Sequence, residues 1–172
     1  MQPELIEKFR RIKLLLLDVD GVLTDGRIIF GSRDELKFFD VQDGLGIVLL
    51  RRAGIDSMII TAKKSKAVIR RAKDMEIKEV YQNSRNKLKI YNKILGRYKI
   101  PPQEIAFIGD EIIDIPVLEK VGLSISVPNA RQEVKEKVDY ITRKQGGRGA
   151  VREVCDLILK TQGKWEKAIV QL

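Results

Sequence analysis

The sequence predicts an α/β fold: a doubly wound, mostly parallel Rossmann-like sheet in a single domain. Three observations carry this expectation. Leu14–Leu17 is an apolar run without alternation, as in a strand buried on both faces. Further apolar runs, IDSMIIT, EIAFIGD and GLSISV, recur with helical patterns between them, the order of a chain that winds strand, helix, strand. A length of 172 residues suffices for one full core and is short for two.

Residues 1–13 read as a short helix with Leu5, Ile6 and Phe9 on one face. Strand one then runs into Asp18-Val19-Asp20-Gly21. Ligands of open α/β sheets gather outside the carboxyl ends of the strands, so Asp18 and Asp20 should project into a crevice there. Two carboxylates this close repel each other unless a cation lies between them, and an all-oxygen site suits Mg²⁺. The plainer alternative is a pair of solvated aspartates. Residues 26–40 read as a hairpin, with Arg27–Phe30 and Glu35–Phe39 around the turn Gly31-Ser32-Arg33-Asp34. Its apolar residues, Ile28, Ile29, Phe30, Leu36, Phe38 and Phe39, occupy both faces. Either the hairpin folds back on its own domain or one face meets another chain.

Asp43-Gly44 opens a helix whose Ile47, Leu49 and Leu50 cover the sheet and whose Gly54 ends it. Strand two finishes at Thr61. The helix behind it, roughly Ser65–Met75, carries Lys63, Lys64 and Lys66 near its start, where an anion meets backbone N–H and ammonium groups together. EVYQ is a short strand, and a helix runs from near Lys87 to about Tyr98 before Pro101-Pro102 breaks the chain. The next buried strand ends in Gly109-Asp110 with Glu111 and Asp114 just beyond, and Pro116 fits the first turn of the following helix. GLSISV closes at Pro128-Asn129-Ala130. A helix about Arg131–Lys137, a strand DYITR, a basic loop Gly146-Gly147-Arg148-Gly149 and a helix Ala150–Lys160 complete a domain of residues 1–162. The tail, residues 163–172, has Trp165 and spaced apolar residues with no evident partner in its own chain.

Composition narrows the function classes. Hydrophobic residues make up 44% and charged ones 33%, with no run long enough to cross a membrane. MQPELIEKFRRIK lacks an apolar stretch followed by a cleavage site, so a cytoplasmic setting is expected. Cys155 lies in VREVCDLILK as one small apolar residue of a helix and is expected to be inert. Thirty-three Lys and Arg against 24 Asp and Glu give +9, which favours anionic partners. The cations are dispersed and aromatics are only 6%, so a stacking surface for nucleic acid is not supported. The chain has no histidine. Acid–base work therefore falls to carboxylates, lysines or hydroxyls.

Asp18 and Asp20, Thr61, Lys87 and Asp110 thus gather at strand ends and loops in that order. Chemically this is a set for phosphoryl transfer: a carboxylate nucleophile, a second carboxyl as acid or base, a metal, and two donors to the phosphate. The order Asp-x-Asp-Gly, apolar strand plus Thr, Lys, then Gly-Asp with a later Asp resembles the haloacid dehalogenase superfamily of aspartyl-phosphate phosphatases. DVDGVLTDGRIIF, FFDVQDGLGI, NKL, GDEIIDIPVLEKVGLSISV and GGRGAVREVCDLIL are similar to the 3-deoxy-D-manno-octulosonate 8-phosphate (KDO 8-phosphate) phosphatases, from about Leu14 to Lys160.

The resemblance implies roles. Asp18 is the nucleophile, Asp20 the general acid–base, and Thr61 and Lys87 the phosphate binders. Asp18, the Asp20 carbonyl and Asp110 are the Mg²⁺ ligands, with Glu111 and Asp114 supporting them. The implied substrate is a small phosphorylated sugar acid of lipopolysaccharide biosynthesis, KDO 8-phosphate or another such as a nonulosonate 9-phosphate. In the family Thr61 is usually followed by Gly-Arg, and here by Ala62-Lys63; the Gly-Asp-Asp pattern reads Gly109-Asp110-Glu111. Lys63, Arg71 and Arg148 are the cations left to meet the substrate's carboxylate. A receiver-like phosphoryl switch fits less well, because Thr61 and Lys87 both precede Asp110 in the chain.

No stretch between Asp20 and Thr61, or between Thr61 and Lys87, is long enough for a separate cap domain. The crevice of one subunit should be open. A homotetramer is expected, as the resemblance also implies, with the hairpin or the tail of one subunit covering a neighbour's Asp18.

Overall fold

The computed structural model describes residues 1–31 and 35–170. Its main sheet has six strands: β1 (Leu14–Leu17), β4 (Asp56–Ile60), β5 (Glu79–Tyr81), β6 (Ile105–Ile108), β7 (Leu123–Ser126) and β8 (Tyr140–Ile141). All pair in parallel, in the order β5-β4-β1-β6-β7-β8. The chain winds outward from β1 through β4 to β5, then crosses to the other side of β1 and winds out again. That reversal opens a crevice at the carboxyl end of β1.

The four leucines of β1 are fully buried, and the period of two sends them to different cores. Leu15 and Leu17 join the layer of α1 (Pro3–Arg11), α2 (Val41–Arg52), α3 (Lys66–Asp74) and α7 (Ala150–Thr161). Leu14 and Leu16 join that of α4 (Lys87–Tyr98), α5 (Ile115–Leu118) and α6 (Gln132–Lys135). At roughly 2 kcal/mol per buried leucine, β1 anchors both layers and holds the residue after it rigidly.

Three expectations are corrected. Helix α2 begins at Val41 rather than at Asp43, because the Asp40 carboxylate accepts from the Gln42 N–H at 2.7 Å and caps it. The hairpin ladder is short, β2 (Ile29–Phe30) against β3 (Glu35–Leu36). Lys37 turns inward to Asp20, and Phe39 packs on the core instead of pairing. The expected turn at Ser32–Asp34 lies outside the described residues. The tail does have a partner in its own chain: α8 (Trp165–Val170) packs on α2 and α7, burying Ala168. The Trp165 ring lies 4.8 Å from Lys160 Nζ and 5.8 Å from the Arg152 guanidinium. Residues 171–172 lie outside the described part. Cys155 is fully buried in α7 and burial pushes its thiol up, in keeping with an inert side chain.

Asp43, buried in the first turn of α2, caps a different helix. Its Oδ1 accepts from the Arg152 N–H of α7 at 2.7 Å. Burial raises its pKa to about 6 against the pull of the N–H groups of Arg152, Gly149 and Val151. A raised carboxyl favours the fold below its unfolded pKa and loses that advantage as pH climbs through about 6. Asp43→Ala should cost about 1–2 kcal/mol by denaturant unfolding. Against Asp43→Asn, the parent should gain stability as pH falls from neutral toward 5; a constant difference would contradict the buried-carboxyl reading.

Candidate active site

Asp18 follows β1 directly, and its backbone N–H donates to the Ile108 carbonyl at 3.1 Å, extending the strand into the site. Val22, Leu23 and Thr24 N–H groups then converge on the Val19 carbonyl, turning the chain sharply. Gly21, at φ +92°, passes beneath Asp110: a Cβ there would meet Asp110 Oδ2 at 1.9 Å. Asn129, after β7, holds this turn by donating to the Gly21 carbonyl at 2.8 Å and accepting from the Gly146 N–H at 2.8 Å. A Cβ on Gly146 would strike that same carbonyl oxygen at 1.8 Å. The basic loop is thereby stitched to the Asp-x-Asp turn.

Lys87, the first residue of α4, is buried between two carboxylates. Its Nζ stands 2.7 Å from Asp18 Oδ1 and 2.5 Å from Asp114 Oδ1. Burial works against the ammonium, but Asp18 and Asp114 outweigh it and its pKa is raised. The other Asp114 oxygen accepts from the Asp110 and Glu111 N–H groups at 3.0 and 3.1 Å, which fixes the loop after β6. The Glu111 carboxylate accepts from the Ile112 N–H and caps the short 3-10 turn there.

Asp18, Asp20, Thr61, Lys63, Lys87, Asp110 and Glu111 line one cleft of about 280 Å³, with Gly26, Ala62 and Ile113 completing its wall. Lys63 and Lys64 precede α3 rather than lying within it. The other two cations named from the sequence lie elsewhere in this chain. Arg71 donates to the Asp40 carbonyl at 2.9 Å and sits 6.0 Å from the Phe39 ring, at the base of the hairpin. Arg148 lines a second cleft with Asp25, Arg27 and Phe38. The sequence reading passed over Asn129, and also Lys37, whose Nζ pairs with Asp20 and, at 2.5 Å, with Glu35. Asn129 stands just past a strand end and was signalled by the carboxyl-edge rule. Glu35 and Lys37 share a hairpin face by their spacing of two.

Carboxylate oxygens of Asp18, Asp110 and Asp114 all lie within 4.8 Å of one another. Asp110 Oδ1 is buried without a hydrogen-bond partner. Burial first, and then the charges of Asp18 and Asp114, push the Asp110 pKa up against Lys87. Burial likewise raises Asp18, with Lys87 opposing and Asp114 adding to the effect. An unpartnered buried oxygen among repelling carboxylates fits a hard cation held by oxygen ligands, such as Mg²⁺. Asp114 is already committed to Lys87 and the backbone, so Asp18 and Asp110 are the side chains left for it.

A family model of haloacid dehalogenase-like hydrolases matches residues 50–154. The chain belongs to that family. It is 47% identical over 169 residues to the 3-deoxy-D-manno-octulosonate 8-phosphate phosphatase KdsC of Escherichia coli (strain K12), covering 98% of this chain and 90% of that protein. A crystal structure of the 3-deoxy-D-manno-octulosonate 8-phosphate phosphatase from Yersinia pestis superposes with a TM-score of 0.94 at 44% identity, covering 96% of this chain and 90% of that one. The Moraxella catarrhalis phosphatase, in complex with magnesium ion, phosphate ion and KDO, does so with a TM-score of 0.95 at 42% identity, covering 99% of both chains. In this haloacid dehalogenase-like hydrolase the acidic cluster lies at the carboxyl end of β1.

The mutual repulsion in that cluster has a measurable consequence. Asp110→Asn should raise the melting temperature of the metal-free protein, each ~1 kcal/mol gained being worth roughly 2–4 °C at this size. The same change should abolish the further rise that Mg²⁺ gives the parent. A lower metal-free melting point, or a Mg²⁺ shift that survives, would contradict the assignment of Asp110 to the cation.

Proposed function

We propose that this protein is a Mg²⁺-dependent phosphatase that hydrolyses 3-deoxy-D-manno-octulosonate 8-phosphate to KDO and phosphate through an aspartyl phosphate, in lipopolysaccharide biosynthesis. The observation that carries the chemistry is Asp18 at the mouth of β1, held by Lys87 at 2.7 Å with Asp110 and Thr61 in the same cleft. The substrate rests on the near-full-length similarity to the phosphatases named above.

Asp18 attacks phosphorus in line with the leaving oxygen, and a new O–P bond forms as the sugar O–P bond breaks. Lys87 and Thr61 hold the phosphoryl oxygens. Protonated Asp20 donates its proton to the departing sugar alkoxide, then takes one from the water that releases phosphate and restores Asp18. Asp18, Asp110 and the Asp20 carbonyl would hold Mg²⁺, which when bound would neutralise charge on the phosphoryl group. Lys63 at the cleft wall, with Arg71 or Arg148 supplied from a neighbouring subunit, meets the sugar acid's carboxylate. Ala62-Lys63 at that wall favours one second reading, a related substrate such as a nonulosonate 9-phosphate.

We further infer a homotetramer of cytoplasmic setting. Among the described residues no helix is long and apolar enough to cross a membrane. The hairpin leaves Phe30 84% and Phe38 71% exposed, with Val41 beside them at 78%. Such a face suits burial against its counterparts in other subunits. Because α8 packs on its own chain, the hairpin is the better candidate for covering a neighbour's cleft.

One set of assays tests this. With Mg²⁺, KDO 8-phosphate should be turned over at least ~10²-fold more efficiently than glucose 6-phosphate. Asp18→Asn should lose ~10³-fold or more while remaining folded. Light scattering on the same sample should give four chains. Turnover by Asp18→Asn within about tenfold of the parent would sink the mechanism, equal efficiency on the two sugars would sink the substrate, and a fully active monomer would sink the assembly.

A further inference from the structure

Among the described residues of the hairpin, Lys37 has the most deeply buried charged side chain. Its side chain is 1% exposed, although its neighbours Leu36 and Phe38 stand 55% and 71% exposed. The ammonium reaches Asp20 on one side and Glu35 Oε1 on the other, at 2.5 Å. Lys37 is not among the residues lining the cleft of Asp18. It meets the site through Asp20. A buried ammonium between two carboxylates is costly to desolvate and is weak evidence of a stabilising device, whereas it does fix the geometry of what it touches. Left unpaired, the Asp20 carboxylate would turn at its χ angles in the field of Asp18 and Asp110.

We infer that Lys37 is a positioning residue for the proton transfer: from the hairpin it donates to Asp20 Oδ1, which leaves Oδ2 to carry the proton and face the leaving oxygen, and Glu35 in turn holds Lys37. The inference rests on the phosphatase reading above. It gives the hairpin a part in the chemistry of its own subunit, beyond burying apolar surface in an assembly. A hairpin that lifted away would withdraw Lys37 and leave Asp20 unaligned, so catalysis and hairpin docking are coupled through one ion pair.

The test is a double-mutant cycle with two substrates. Lys37→Met should lower kcat on the sugar phosphate ~10–100-fold, as for a misplaced general acid, with KM changed less than about threefold. The first-turnover burst from an aryl phosphate, whose leaving group needs no proton, should persist. In the Asp20→Asn background the same substitution should have no further effect on residual turnover or on the burst. Lys37→Arg should recover part of the loss, and Glu35→Gln should give a smaller loss of the same kind. Equal fold-losses in the parent and Asp20→Asn backgrounds, or a loss confined to KM, would show that Lys37 only holds the hairpin and would overturn the inference. If Lys37→Met does not fold, Glu35→Gln and Lys37→Arg enter the same cycle and the same two results decide. An active parent with indifferent Lys37 and Glu35 variants overturns this inference alone. A parent without phosphatase turnover overturns the reading beneath it.

Discussion

The site depends on one buried ammonium. Three carboxylates, Asp18, Asp110 and Asp114, crowd the mouth of β1, and Lys87 is the cation among them in the protein itself. It is placed by the start of α4, where Asn86 caps the helix by accepting from the Lys89 N–H at 3.1 Å. By pairing with Asp114 it locks the acceptor that gathers the Asp110 and Glu111 N–H groups. By pairing with Asp18 it keeps that carboxylate's charge tolerable in a buried setting. One positive group against three negative ones leaves an excess, which is what makes the cluster a receptor for a divalent cation. Charge balance is completed by binding, and a site tuned for binding is repulsive when empty.

Geometry does the rest through the backbone. The switch in winding direction at β1 brings residues from distant parts of the chain to one edge: the turn after β1, Thr61 after β4, and Asp110 after β6. Contacts too close for a side chain keep them there. Gly21 runs under the Asp110 carboxylate and Gly146 against the Gly21 carbonyl, while Asn129 bonds to both loops. Loops at strand ends are usually mobile, but here they are tied to each other as well as to the strands. Among its described residues the hairpin is tied to the domain by the pairing of Lys37 with Asp20, by Phe39 on the core and by Arg71 on the Asp40 carbonyl.

Most of the sheet and the carboxylates that line the cleft were legible in the sequence because two local signals coincide there. An unbroken apolar run followed by Asp, Thr or Gly-Asp declares both a buried strand and its functional end, and so Asp18, Asp20, Thr61 and Asp110 were readable without coordinates. Lys87 was read from its place in the motif order, and its burial came only from the packing of α4. What the sequence withheld is tertiary. Trp165, Ala168 and Ile169 form a stripe too short to announce a helix, yet they bury against α2 and α7. Asp43 looked like a helix opener because local spacing cannot say which helix a carboxylate caps. Arg71 and Arg148 looked like site residues on charge alone, and their place in one subunit is at the hairpin's base and in a neighbouring cleft.

The central claim is that Lys87 holds the charge balance of the cluster, and unfolding of Lys87→Met in denaturant without Mg²⁺ measures it most directly. Removing the ammonium leaves Asp18 and Asp114 buried and unpaired, so the variant should lose about 3–5 kcal/mol. Adding Asp114→Asn, which removes one charge but keeps an acceptor for the backbone N–H groups, should restore part of that loss without restoring turnover. A Lys87→Met variant within about 0.5 kcal/mol of the parent, or a double variant less stable than the single one, would contradict the account.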